Sequence, residues 1–172
     1  MARFFEADPE KSLARVLQAN HERMRQAGVT LAHGQMAMAA ADGATAPITM
    51  AATETGLPAG TCCQITPADL DQVLDNVVAN ATQAMQNTKV KHLRITQKLV
   101  DGMVLIDVSD TGCGIAPADQ ARALNTHYTT KSTGGTGLPA SRNILRRYSG
   151  HLMILHSEPG VGTTVRIATI AS

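Results

Sequence analysis

Three stretches of the chain combine residue types and spacings that can do chemistry. In the first, Asn76 and Asn80 stand one helical turn apart among apolar residues (Leu70, Val73, Leu74, Val77, Val78, Ala81, Met85) that recur with helical period. The apolar stripe centres near Leu70, Val77 and Ala81; the two amides flank it, and Gln83 and Asn87 extend the same side. Such a column either lines a pocket beside the core or forms a solvated polar face. If it lines a pocket, an Asn side-chain oxygen is a good neutral ligand for Mg²⁺ carrying phosphates. The second stretch is Asp110-Thr111-Gly112-Cys113-Gly114-Ile115, directly after an apolar run. A carboxylate at a strand end can accept from an exocyclic amine such as that of adenine. Glycines let the backbone turn and approach a ligand closely, although an ordinary strand-ending turn has the same composition. The third is Thr129-Thr130-Lys131-Ser132-Thr133-Gly134-Gly135-Thr136-Gly137-Leu138. Gly-rich backbone that opens a helix offers amide donors and a dipole to phosphate, and Lys131 adds a cation. The order of a P-loop is absent, and a plain surface loop is the competing reading.

The elements that must position these residues are legible to different degrees. Asp8-Pro9-Glu10 reads as a helix cap with proline at the first helical position. Leu13, Val16, Leu17, Met24 and Ala27 then form one stripe, and Gly28 is a stop. Residues 34–60 are rich in Ala, Thr and Gly and carry little signal. Short strands are expected at 29–31, around 48–51 and at 63–65. Thr66-Pro67-Ala68-Asp69 starts a second capped helix. Asp101-Gly102 between two apolar runs, 92–100 and 103–109, predicts a tight hairpin. Residues 114–136 lack periodicity. A further helix is expected from near Pro139 to before Gly150, followed by strands at 152–156 and 163–170. Strand pairs between helices predict an α+β fold, with helices on one face of a mixed sheet, rather than the alternation of a Rossmann fold.

Composition narrows the function classes. Aromatic residues are 2% of the 172, with no Trp, which argues against a base-stacking nucleic-acid surface. Fifteen basic and 14 acidic residues leave a net charge of +1, too little to draw in nucleic acid or anionic lipid. No apolar run reaches membrane-spanning length and the N-terminus lacks a signal-peptide core. Cys62, Cys63 and Cys113 suit neither a disulfide framework nor a zinc site, so reduced thiols in a cytoplasmic protein are expected.

Taken in order, Asn76 and Asn80, then Asp110-x-Gly-x-Gly, then Gly-Thr-Gly-Leu, then Gly162-Thr163 resemble the ATP-binding fold shared by gyrase, Hsp90, MutL and sensor histidine kinases, the Bergerat-type two-layer sandwich with a mostly antiparallel sheet. The match is best to the catalytic ATP-binding domain of two-component sensor histidine kinases. Asp69–Met85 looks like its N box, Asp110–Gly114 its G1 box, Tyr128–Lys131 its lid, Gly135–Leu138 its G2 box, and Ser157–Thr163 its closing hairpin. The resemblance implies that Asn80 coordinates Mg²⁺ bridging the phosphates, that Asp110 reads the adenine amine, and that Gly112 and Gly114 border the base with Ile115 beside them. It implies that Thr129, Thr130, Lys131, Gly135, Thr136, Gly137 and Leu138 belong to the lid and phosphate end, and that Thr163 supports Asp110. ATP-hydrolysing relatives and anti-sigma serine kinases carry Glu one turn before the magnesium Asn, where it can act as general base. Here that position is Asn76, as in kinases whose nucleophile is an imidazole. Asn76, Asn80 and Lys131 are therefore the expected catalytic set, with ATP and Mg²⁺ as cofactors and catalysis by positioning and charge neutralisation.

The chain departs from the family pattern at two places. Pro139 replaces the usual glycine after Gly-Thr-Gly-Leu, removing one amide donor and biasing Leu138 towards extended backbone. No phosphoacceptor box is found: His21-Glu22 lacks the following Asn/Thr-Pro pair, and His21 reads as a surface helix residue. The expected organisation is a helical extension over 1–28, as at the end of a dimerisation helix, and an ATP-binding catalytic domain over 29–172. The implied partners are a histidine-bearing dimerisation domain and, indirectly, a response regulator; the isolated chain is expected to be monomeric. Two alternatives stand beside a histidine kinase domain. One is a serine kinase or ATPase of the same superfamily, which Asn76 opposes. The other is an interaction module that has lost ATP binding, which Pro139 makes conceivable.

Overall fold

The computed structural model describes residues 6–28, 49–125 and 137–172, the first seven residues of the middle stretch as backbone only. The expected strand at 29–31 and residues 126–136 lie outside the described residues. The elements run β1 (Glu6–Ala7), α1 (Pro9–Gln26), β2 (Thr49–Gly56), β3 (Cys63–Gln64), α2 (Pro67–Ala84), β4 (Lys91–Val100), β5 (Met103–Asp110), α3 (Pro117–Ala123), α4 (Gly137–Arg146), β6 (His151–Glu158) and β7 (Gly162–Ile170).

Both long helices begin as their sequences dictate. Asp8 caps α1 by accepting from the Lys11 amide at 3.0 Å, and Thr66 caps α2 by accepting from the Asp69 amide at 3.2 Å, each with proline next in line. The apolar stripes of α1 and α2 are buried in one core with the inner side of the sheet. A polar seam runs along their contact: Arg15 grips Asp71 through two bonds of 2.9 and 3.0 Å, and the Asn20 amide donates to Asp75 at 2.6 Å.

The main sheet has the order β2-β4-β5-β7-β6 and is antiparallel except for the β2–β4 pair. Alternation sorts its residues: Leu93, Ile95, Val104, Ile106, Val108, Val165 and Ile167 are buried in the core. Their neighbours carry the open face, where Arg166 pairs with Asp107 through two bonds of 2.6 Å. The β4–β5 turn is the expected one, with positive φ at Asp101 (49°) and Gly102 (74°). β1 and β3 form a separate small ribbon, tied to the end of the chain by the Cys63–Ala171 bridge. The fold is the α+β two-layer sandwich read from the sequence.

Four local expectations are corrected. β2 extends to Gly56, beyond the short strand expected there, and β3 stops at Gln64. The stretch read as aperiodic contains α3, a short helix with no side-chain cap and no buried residue, which is why pattern reading passes over it. Helix α4 begins at Gly137, so Pro139 is its third residue and Leu138 is helical rather than extended. Proline is tolerated there because first-turn amides have no partner within the helix. Among the described residues no helix is long and apolar enough to cross a membrane, and no cluster of His, Cys, Asp or Glu could hold a metal ion. His21 is exposed on α1, as expected. Cys63 is buried, and burial pushes its thiol up to about 11, whereas Cys113 is exposed.

Candidate functional site

The site is built along the last two turns of α2. Asn76 and Asn80 are half-buried at the rim of its core face and meet the first residue of α4. A Cβ placed on Gly137 would lie 3.1 Å from Asn80 Nδ2 and 3.6 Å from Asn76 Oδ1. Glycine there brings the start of α4 against both amides. Asn76 Nδ2 donates to the buried Ser141 Oγ at 3.1 Å, so its nitrogen is engaged by α4 while its oxygen lies beside Gly137. The helix start that the sequence assigns to phosphate thus lies against the amide column that it assigns to the metal. Leu138 is half-buried and packs on the core.

One turn further along α2, the loop after β5 is fastened to Ala84. The Cys113 amide donates to the Ala84 carbonyl at 3.0 Å, and a Cβ on Gly112 would stand 2.5 Å from the Ala84 Cβ. Thr111 completes the attachment: its hydroxyl donates to Val90 O and accepts from the His92 amide, both at 2.9 Å. Four residues of helix place Asn80 about 6 Å along the axis from Ala84. The amide end and the carboxylate end of the site therefore share one short piece of rigid scaffold.

Asp110 ends β5. The Gly112 amide donates to its Oδ1 at 2.7 Å, and the Thr163 amide also donates to the carboxylate. Burial nevertheless dominates and pushes its carboxyl up to about 6. Two glycines, one from the loop after β5 and one from the closing turn, make this corner possible. At Gly114 (φ 69°) a Cβ would stand 2.0 Å from Glu158 O, and at Gly162 (φ 141°) 1.9 Å from Asp110 O. The Gly160 amide donates to Cys113 O at 2.9 Å, which joins the two loops. Thr163 is buried; its hydroxyl bonds Ser157 Oγ at 2.8 Å, and Ser157 Oγ accepts from the Ile115 amide at 2.8 Å.

Asn76, Asn80, Asp110, Gly112, Gly114, Ile115, Gly137, Leu138 and Thr163 are thus positioned around α2 and the two loops. Thr129, Thr130, Lys131, Gly135 and Thr136 lie outside the described residues. Two positioning residues escaped the sequence reading. Ser141 orients Asn76, and Gln120 on α3 donates to Ile115 O at 3.1 Å and Ser157 O at 2.8 Å. Neither belongs to a motif; only their three-dimensional neighbours reveal them.

The residues fit Mg²⁺ brought in with phosphates. The Asn80 side-chain oxygen would offer one neutral oxygen ligand to such a cation, and the phosphates themselves would supply the charged ones. Asp110 keeps acceptor capacity beyond its two amide bonds, as an exocyclic amine requires.

This arrangement is that of a nucleotide-binding α+β sandwich, and the chain belongs to the histidine kinase-, DNA gyrase B- and HSP90-like ATPase family, whose family model matches residues 65–171. Its relatives include the sensor protein FixL of Bradyrhizobium diazoefficiens, 34% identical over 105 residues, covering 60% of this chain and 21% of FixL. The sensor histidine kinase ZraS of Escherichia coli is 40% identical over 103 residues, covering 59% of this chain and 21% of ZraS. The chain therefore spans about a fifth of the length of these two relatives. In fold it is similar to the catalytic domain of the histidine kinase ThkA, with a TM-score of 0.74 at 18% identity over 98% of this chain and 96% of that one. Full-length ShkA, solved in complex with AMPPNP, gives a TM-score of 0.74 at 22% identity over all of this chain and 32% of ShkA.

Proposed function

We propose that the chain binds Mg-ATP and passes the γ-phosphoryl group to a histidine on a separate phosphoacceptor domain, as the catalytic part of a cytoplasmic two-component sensor kinase. The observation that carries this reading is the pairing of two ends on one scaffold: a desolvated Asp110 carboxylate beside Ala84, and the Asn76–Asn80 column against the first residue of α4. The first suits the adenine amine; the second suits the phosphates, which the backbone amides that open α4 and Lys131 would hold. Mg²⁺ with Asn80 would neutralise charge developing on the phosphate oxygens.

Asn76 favours an imidazole acceptor over water or a hydroxyl. Its amide takes no proton near neutral pH and is tied to Ser141, so it supplies no base to water or a hydroxyl. An imidazole nitrogen needs none: it forms the new bond to phosphorus as the bond to the ADP oxygen breaks. The work of this chain is then to hold the nucleotide in line. The acceptor and a response regulator that takes the phosphoryl group onward lie on other domains or chains.

The test joins a binding and a transfer measurement. Calorimetry with ATP should show affinity that falls when Mg²⁺ is withheld, and a supplied histidine-bearing domain should acquire acid-labile phosphate. Acid-stable phosphate or phosphate release alone would assign the chain to the serine kinases or ATPases of the family. Lack of ATP binding would overturn the reading altogether.

A further inference from the structure

On the far side of α4 from the amide column lies a second concavity. Helix α4 ends in a tight turn, with Ser149 at φ 55° and the Gly150 amide donating to Leu145 O at 2.9 Å. That turn lays the first residues of β6 alongside the last turns of the helix. The groove between them has a volume of about 440 Å³ and is lined by Arg142 and Arg146 of the helix and by the start of the strand, residues 150–153.

Two independent features of this groove call for a ligand of one kind. The first is charge. Arg142 and Arg146 are one helical turn apart, and among the described residues neither meets a carboxylate. Among the described residues Arg142 makes two long bonds, to Leu124 O at 3.3 Å and Asn125 Oδ1 at 3.4 Å, and neither acceptor carries charge. His151 adds an exposed imidazole at the mouth. The second is the backbone. β6 is the last strand in the order β2-β4-β5-β7-β6, so among the described residues one of its edges has no strand beside it. Its far half is closed off by an irregularity between Ile154 and His156 and by the bond from Gln120 to Ser157 O. The near half, residues 151–154, has neither guard, and the sequence His151-Leu152-Met153-Ile154 contains no Lys or Pro to discourage pairing.

We propose that this edge is a docking site for an extended acidic polypeptide segment, which adds as a strand beside residues 151–154 of β6 and sets its carboxylates against Arg142 and Arg146. Strand addition takes affinity from the main chain and specificity from alternate side chains. Residues of the incoming strand on the helix side meet the two guanidiniums, which bind carboxylates in a planar, two-point fashion. Residues on the other side lie beside the exposed Met153 and Leu155. The preferred segment therefore alternates acidic and apolar residues. Free phosphate matches the charge but leaves the strand edge and Met153 unused.

The experiment uses the whole chain and a fluorescein-labelled peptide of alternating Glu and Val, about six residues long, an ordinary strand length, followed by fluorescence anisotropy. Binding that weakens with salt and falls by more than about tenfold in Arg146→Glu is expected, since that variant sets like charges together. Arg146 is exposed, and Arg146→Glu should bind ATP as the parent does. A peptide with alternate amides N-methylated along one edge should lose binding, because it cannot form the ladder. Equal affinity for Arg146→Glu, undiminished binding of the methylated peptide, displacement of the peptide by inorganic phosphate alone, or no binding of the peptide would each overturn the proposal.

Discussion

On the proposed reading, Asp110 carries opposing demands for stability and for binding. Burial pushes its carboxyl up to about 6, above the ordinary 3.8, so between those values the folded chain holds a proton that the unfolded chain has released. Its contribution to stability is thus fully present below pH 3.8 and lost as pH rises through 6, a change of about 3 kcal/mol. Asp110→Asn removes that dependence while keeping an oxygen to accept from Gly112. The variant should therefore melt higher than the parent at pH 7.5, and the difference should shrink at pH 4.5, as paired thermal scans would show. For nucleotide the sign reverses, because an exocyclic amine donates best to the ionised form. ATP affinity of the parent should rise from pH 5 to pH 7. Asp110→Asn should lose about 2 kcal/mol for ATP and much less for GTP; equal losses would show that Asp110 does not read the base. Asn80 tests the other end. It is half-buried at the rim of the core face, so Asn80→Ala should shift stability by less than about 1 kcal/mol while removing Mg-dependent ATP affinity in calorimetry. The placement of these residues was legible because each belongs to a local pattern: an acid after an apolar run, amides beside a stripe, glycines next to the acid.

At the level of elements, the two loops of the Asp110 corner are held together by close backbone approach, and two nearby glycines separate approach from conformation. Gly160 (φ 79°) has nothing within 4 Å of where its Cβ would stand, whereas a Cβ on Gly162 (φ 141°) would overlap Asp110 O at 1.9 Å. Gly160→Ala should cost only the strain of a left-handed residue, about 1–2 kcal/mol. Gly162→Ala should cost at least about 3 kcal/mol and weaken ATP binding by displacing Asp110; denaturant melts and a titration on both variants give the comparison. The sequence marked the β4–β5 hairpin and both capped helices because each depends on local chemistry within a few residues: Asp101-Gly102, Asp8-Pro9 and Thr66-Pro67. It did not mark α3, whose seven residues bury none of their number. It also placed the start of α4 at Pro139, two residues late, because proline reads as a first helical residue wherever it occurs in the opening turn. Ser141 and Gln120 were invisible for a related reason: each acts on a residue distant in sequence, Asn76 and Ser157, and polar residues on helices are unremarkable until their partners are known.

Over the whole molecule, what joins the N-terminal helix to the nucleotide layer is a polar connection inside an apolar core. Lys91 opens β4 and is 9% exposed, yet its partners are neutral: Nζ donates to Ala27 O at 2.6 Å, the cap of α1, and to Gln86 O at 3.1 Å, just past α2. One ammonium thus satisfies carbonyls at the C-terminal ends of both long helices, where the helix dipole also favours a cation. The same two helices share their apolar faces and the Arg15–Asp71 contact, so Lys91 fixes the end of a seam that packing has already formed. Nothing in the sequence around Lys91 distinguishes it from the solvated Lys98 on the same strand, since its role depends on a carbonyl 64 residues away. Lys91→Met keeps the length and apolar stem but leaves two carbonyls without their donor, which should cost about 2–3 kcal/mol. The loss should be concentrated where the carbonyls are. Hydrogen exchange of the last turn of α1 should accelerate more than that of the Leu70–Val78 turns of α2, whose amides rest on the central core. If both helices instead lose protection equally, α1 and α2 open as one unit, and Lys91 stabilises that unit rather than the attachment of α1 to it.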